Sequence, residues 1–65
     1  MSKKKYEYWS RNLNNIKNTK LICEQENIEY MIFGPAPDLM YTIRINARGK
    51  KEFKELLWKA GLAAR

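Results

Sequence analysis

Ile28-Glu29-Tyr30-Met31-Ile32-Phe33-Gly34-Pro35-Ala36-Pro37-Asp38-Leu39-Met40-Tyr41-Thr42-Ile43-Arg44-Ile45-Asn46 is the stretch that decides the fold. Ile28, Tyr30 and Ile32 alternate with Glu29, Met31 and Phe33, and Leu39, Tyr41, Ile43 and Ile45 alternate with Met40, Thr42, Arg44 and Asn46. Period two in β-branched and aromatic residues means strand. The intervening Gly34-Pro35-Ala36-Pro37-Asp38 is turn chemistry, because glycine permits positive φ and proline donates no ladder bond. Pairing Phe33 with Met40 sets Ile32 against Tyr41, Tyr30 against Ile43 and Ile28 against Ile45 on one face. Glu29 then meets Arg44 on the other. A one-residue slip scrambles both faces.

Working outward, Lys20–Gln25 reads as a third strand, joined to the first by a tight turn at Glu26-Asn27, with an irregular connector as the alternative. It would bring Glu24 opposite Glu29. Beyond the hairpin, Phe53, Leu56, Leu57 and Ala60 fall at i, i+3, i+4 and i+7, the apolar stripe of a helix over residues 50–60. Gly61 stands at the C′ position. Glu52 suits the helix dipole near its start and Lys59 near its end, while Lys50 and Lys51 oppose it. At the N-terminus Tyr6, Trp9, Leu13 and Ile16 fit a helical stripe over residues 5–17. Alternatively residues 5–9 form a short aromatic strand, with Ser10 capping a helix from residue 11. The longer helix is the preferred reading, although Asn12, Asn14, Asn15 and Asn18 are weak helix formers that require tertiary support.

The expected fold is α+β, a small two-layer sandwich in the order helix, antiparallel β-meander of two or three strands, helix. Its core is expected to hold Trp9, Leu13, Ile16, Tyr30, Ile32, Tyr41, Ile43, Ile45, Phe53, Leu56, Leu57 and Ala60. Sixty-five residues make one domain, 1–65, with residues 1–4 as a flexible basic tail. A chain this short buries only about 60% of its unfolded surface, so small domains often add a disulfide, a metal or a second subunit. Cys23 is the only cysteine and there is no histidine, so neither a disulfide nor a familiar metal constellation is expected, nor any cofactor. A homodimer through the sheet face remains. The lone cysteine, the lack of an apolar run after Met1-Ser2-Lys3-Lys4-Lys5 and the lack of a membrane span point to the cytoplasm.

Net charge is +6, and it is laid out in three blocks. Residues 1–20 carry Lys3, Lys4, Lys5, Arg11, Lys17 and Lys20 against Glu7. Residues 21–40 hold Glu24, Glu26, Glu29 and Asp38 and no base. Residues 41–65 carry Arg44, Arg48, Lys50, Lys51, Lys54, Lys59 and Arg65 against Glu52 and Glu55. Two basic ends flank an acidic middle, a field that steers anionic partners.

Catalysis needs a group poised to move protons or to attack. With no histidine, one unassisted cysteine and carboxylates that fit a solvated sheet face, no enzymatic constellation emerges. Two sets of surface residues remain. Arg11, Arg48, Lys50, Lys51, Lys54 and Trp58 form a basic helix surface with an aromatic that can stack on a base while the amines hold phosphates. The bland alternative is that Trp58 folds over the helix edge to cover a thin core. Met31, Phe33 and Met40, with Gly34, Pro35 and Asp38 of the loop, form an apolar sheet face and a stiff loop suited to a protein partner. Scattered surface apolar residues are the bland alternative there. The favoured expectation is a basic nucleic-acid-binding module. Its rival is a protein-binding regulator or inhibitor of the phage or mobile-element type.

The helix–strands–helix order, Gly34-Pro35 after a strand and Gly49-Lys50-Lys51 opening the last helix resemble a double-stranded RNA-binding domain. In that family lysines at this helix start grip phosphates across a groove, the role the resemblance implies for Lys50 and Lys51. Only Ala47, Arg48 and Gly49 separate Asn46 from the helix, leaving no room for the family's last strand. The loop also lacks the family's histidine, and the chain is not assigned to it.

Overall fold

Lys4-Lys5-Tyr6-Glu7-Tyr8-Trp9-Ser10 also alternates, polar or exposed residues with aromatic ones. In the computed structural model, which describes residues 3–62, that period wins and the segment is strand β1 (Lys4–Ser10). Helix α1 (Leu13–Gln25), strand β2 (Tyr30–Phe33), strand β3 (Tyr41–Ala47) and helix α2 (Lys50–Lys59) follow. The preferred helix over 5–17 is therefore corrected, and the alternative of a short strand followed by a helix holds, with Asn12 rather than Ser10 as the N-cap. Of the expected basic tail, Met1 and Ser2 lie outside the described residues, Lys3 is exposed and Lys4 already pairs with Ala47.

Residues 20–25 are not a strand; they are the last turns of α1. The helix starts where the asparagines concentrate. Asn12 is its N-cap, with Oδ1 accepting from the Asn14 N–H at 2.9 Å, and Ser10 Oγ accepts from the Asn12 N–H at 3.0 Å. Such caps contribute about 1 kcal/mol each. At the other end Asn27 takes a left-handed φ of 56°, and the N–H groups of Asn27 and Ile28 donate to the carbonyls of Glu24 and Cys23. That is a Schellman stop. Glu26-Asn27 is thus a turn as expected, but one that ends a helix. Gly61 does the same for α2, with φ of 78° and bonds from Gly61 and Leu62 back to Trp58 and Leu57.

The sheet runs β1-β3-β2, antiparallel throughout, with β3 in the centre. β1 and β2 are parallel to one another and held apart by β3, a split βαβ arrangement. The expected α+β class stands: two helices pack on each other and against one side of an antiparallel three-stranded sheet. The third strand comes from the N-terminus.

Register differs from expectation by two residues. Tyr30 pairs with Ile45, Met31 with Arg44, Ile32 with Ile43 and Phe33 with Thr42. A shift of two preserves which side chains share a face, so the apolar pattern alone was blind to it. Met40 is consumed by the loop, its carbonyl accepting from the Ala36 N–H at 2.9 Å, and so never enters the ladder.

Ile43, Ile45 and Ala47 of β3 are buried beneath Ile16, Thr19 and Cys23 of α1 and Leu56 of α2. Fully burying each large aliphatic side chain contributes roughly 1.5–3 kcal/mol. Tyr6, Tyr8, Tyr30, Tyr41 and Phe53 pack around this centre, and the rings of Tyr6 and Phe53 stack at 5.1 Å. Three expected core residues are corrected: Trp9, Leu13 and Ile32 are exposed. Trp9 is an odd-numbered position of β1 and so points away from the helices with Lys5 and Glu7. Ile32 faces the helical side, but β2 is the sheet's outer strand and neither helix covers it well.

Candidate nucleic-acid interface and the open sheet face

The two basic blocks of the sequence meet in space. Antiparallel pairing places Lys4 beside Ala47 and Lys5 beside Asn46, so the start of β1 lies at the end of β3 where α2 begins. Lys3, Lys4, Lys5, Arg48, Lys50 and Lys51 therefore gather at one end of the sheet, and all are exposed. Lys3 and Arg48 line the same cleft of about 270 Å³, whose other walls include Glu26, Glu52 and Lys59. Reading residues 5–17 as a helix hid this convergence; the alternation of Lys5, Glu7 and Trp9 with Tyr6 and Tyr8 was the signal that could have shown it.

Along α2, with about 100° between residues, Lys50, Lys54, Trp58 and Lys51 occupy one arc centred opposite the buried Leu56. All four are exposed, Trp58 to 43%. The described ion pairs are Arg44 with Glu7 at 3.0 Å and Lys59 with Glu26 at 3.1 Å. Neither uses the lysines of this arc. The N-cap Gly49 has no side chain to bond the first-turn amides, and Glu52 instead accepts from the Arg48 N–H at 3.1 Å.

Arg11 is not part of this cluster. It follows the far end of β1, where Ser10 pairs with Tyr41, and its Nε donates to the Asp38 carbonyl at 3.2 Å. A seven-residue strand separates it from the basic end, on the order of 20 Å.

The sheet face turned away from the helices carries three rows across β1, β3 and β2: Trp9-Thr42-Phe33, Glu7-Arg44-Met31, and Lys5 beside Asn46. Trp9 is 60% exposed, Met31 57% and Phe33 39%. Arg44 spans the face, donating from Nε and Nη2 to Glu7 Oε2 while its guanidinium carbon lies 4.9 Å from the centre of the Phe33 ring. Glu29, expected to hold Arg44, bonds Asn46 instead, through its carbonyl at 3.0 Å and its carboxylate at 3.3 Å. Met40 is half-buried in the loop, and Trp9, placed in the core by the helical reading, takes the position expected for it on this face. Gly34, Pro35 and Asp38 are exposed in the loop, where Asp38 Oδ1 accepts from the Met40 N–H at 3.2 Å.

Glu24 and Glu29 are not cross-strand neighbours. Glu24 belongs to α1 and accepts the Tyr30 hydroxyl at 2.9 Å, a bond that raises the phenol's pKa above its usual value. Among the described residues no group of three or more His, Cys, Asp or Glu is placed to hold a metal ion. No described helix is long and apolar enough to cross a membrane. Comparison with protein-family models, curated proteins and solved structures finds no match for this chain. The resemblance to a double-stranded RNA-binding domain also loses its ground, because the first element is a strand that pairs with β3.

Proposed function

We propose that the chain is a small, non-enzymatic binding module of the cytoplasm that associates with nucleic acid through its basic end. The convergence of Lys3, Lys4 and Lys5 with Arg48, Lys50 and Lys51 carries this reading. Like charges brought together raise one another's energy, and so do lysines in the first turn of a helix, where the dipole is already positive. A row of phosphates offsets both. Lys54 and Trp58 extend the surface along α2, the indole offering a plane for a base or sugar.

Binding of this kind depends steeply on salt. Six phosphate contacts give a slope of log K against log salt of roughly −4 to −5. The test is titration of labelled single-stranded and duplex oligonucleotides at two or more salt concentrations, with the wild type and with Lys4→Gln/Lys5→Gln/Lys50→Gln/Lys51→Gln. The variant is expected to flatten the slope by about 3. No binding by the wild type at low salt, or unchanged binding by the variant, overturns the reading.

A second reading, a protein-binding regulator or inhibitor, draws on the exposure of Trp9, Met31 and Phe33 on the uncovered sheet face. Pull-down with Trp9→Ala and Phe33→Glu controls tests it; an unchanged partner set counts against that face.

A further inference from the structure

The outer edge of β2 has the makings of a seam between two copies of the chain. The Asn46 N–H donates to the Glu29 carbonyl at 3.0 Å, which fixes the phase of the β2–β3 ladder. Antiparallel ladders alternate, so Glu29, Met31 and Phe33 turn their backbone groups toward β3. Tyr30 and Ile32 turn theirs outward, away from the sheet. Both faces of this edge are apolar as well. Met31 and Phe33 are exposed on the open side, and Ile32 is 42% exposed on the helical side. No charged residue lies within Tyr30–Phe33.

The other edge is built differently. β1 carries Lys4, Lys5 and Glu7, the kind of charges with which proteins blunt an edge against pairing. One edge is guarded and the other is not.

We propose that two copies join through β2, antiparallel about a two-fold axis at Ile32, to form one six-stranded sheet. This does not rest on the nucleic-acid reading. In that register Ile32 meets the second copy's Ile32 on the helical side, where its backbone groups exchange hydrogen bonds, and Met31 meets the second copy's Phe33 on the open side. Pairing one residue to either side would set unlike faces together. Shifting by two would place Glu29 against Phe33 in one direction and Met31 against Pro35, which has no N–H to donate, in the other. Charge permits the union despite +6 per copy. Lys3, Lys4 and Lys5 sit on the opposite edge of the sheet, and the two-fold sends the two basic ends in opposite directions. The two Glu29 residues lie about 20 Å apart, beyond the screening length of about 8–10 Å. The pairing also supplies the second subunit by which small domains with a thin core gain stability.

The experiment measures mass by light scattering or sedimentation from low to high micromolar concentration, with amide exchange of the full chain at both limits. The wild type is expected at twice 7.8 kDa at the upper end. Tyr30 and Ile32 amides should exchange roughly tenfold or more slowly there than on dilution, while Met31 and Phe33 amides stay protected at both. Met31→Lys places a guarding charge on the edge, and Ile32→Pro removes an outward N–H that the β3 ladder does not use. Both should run at 7.8 kDa with an unchanged circular dichroism spectrum, and Trp9→Ala should remain paired. A wild type that stays at single mass throughout, or exchange of Tyr30 and Ile32 that ignores concentration, overturns the proposal. So does a dimer lost in Trp9→Ala but kept in Met31→Lys.

Discussion

Glu7 and Arg44 face each other across β1 and β3, and both guanidinium bonds, at 3.1 and 3.0 Å, end on one carboxylate oxygen. The same guanidinium lies over Phe33 of β2, so one side chain of the central strand ties both outer strands across the open face. Both partners are more than a third exposed, which limits the energy of the pair. Glu7→Gln should cost about 0.5–1 kcal/mol in urea denaturation, with the difference shrinking at high salt. Arg44→Met keeps the aliphatic stem but loses the same pair, and should cost about as much with the same shrinkage at high salt.

Phe53 is the contact between α2 and the first strand. Its ring stacks on Tyr6 at 5.1 Å and 16°, and Phe53→Ala should lower stability by about 2–4 kcal/mol, combining lost burial with the lost ring pair. Phe53→Leu should recover part of that. Thermal unfolding by circular dichroism reads both; a loss under about 1 kcal/mol for Phe53→Ala would mean that α2 does not rely on β1.

Gly34 cannot be replaced cheaply. Its φ is 114°, and a Cβ there would lie 2.8 Å from the Met40 carbonyl oxygen and 3.1 Å from the Tyr41 Cα, both backbone atoms. Gly34→Ala should therefore cost about 1–3 kcal/mol. Gly61, with open space around it, should pay only for its φ of 78°. Chemical denaturation of Gly34→Ala and Gly61→Ala side by side checks the ranking.

Cys23 makes stability sensitive to alkali. Burial first, and the neighbouring charge of Glu24 second, push its thiol from 9.0 up to about 11. The folded value lies above the unfolded one, so the unfolded chain surrenders its proton first. Below about pH 9 the thiol contributes no pH dependence; between 9 and about 11 stability falls, by roughly 3 kcal/mol in all. Tyr30, raised by its bond to Glu24, adds a trend of the same sign at higher pH. Urea midpoints across pH 8–11 for the wild type and Cys23→Ala should separate in that window. The native thiol should also resist alkylation until the chain is unfolded.

The hairpin, the last helix and its glycine stop were legible because each rests on local chemistry that nothing distant overrides. Residues 5–17 were not. Tyr6, Trp9, Leu13 and Ile16 satisfy a helical spacing by coincidence, while Tyr6 and Tyr8 satisfy a strand spacing for a reason, the presence of β3 beside them. That partner lies more than thirty positions away in the chain, and periodicity in a window cannot see it. Residues 20–25 failed similarly: Ile22 and Cys23 suited a strand, but Ile16, Thr19 and Cys23 together mark a helical stripe whose middle member is a threonine. Thr19 is buried with its hydroxyl donating to the Asn15 carbonyl at 2.8 Å, so a polar residue stands where an apolar one was sought. The lysines of the α2 surface were found from helical spacing alone; their gathering with Lys3–Lys5 depended on β1, the strand over residues 5–9 that stood only as the alternative to the longer helix.

Placing β3 at the centre has a consequence for biosynthesis. Among the described residues every sheet bond has one end on residues 41–47 or their immediate flanks. While the ribosome is still making that segment, β1 has no neighbour to pair with and α1 no sheet to rest on. The nascent chain can form at most a frayed helix until β3 emerges. Pairing of the sheet therefore waits on β3, and truncation within or before β3 should leave a chain that proteases clear rather than a partly folded remnant.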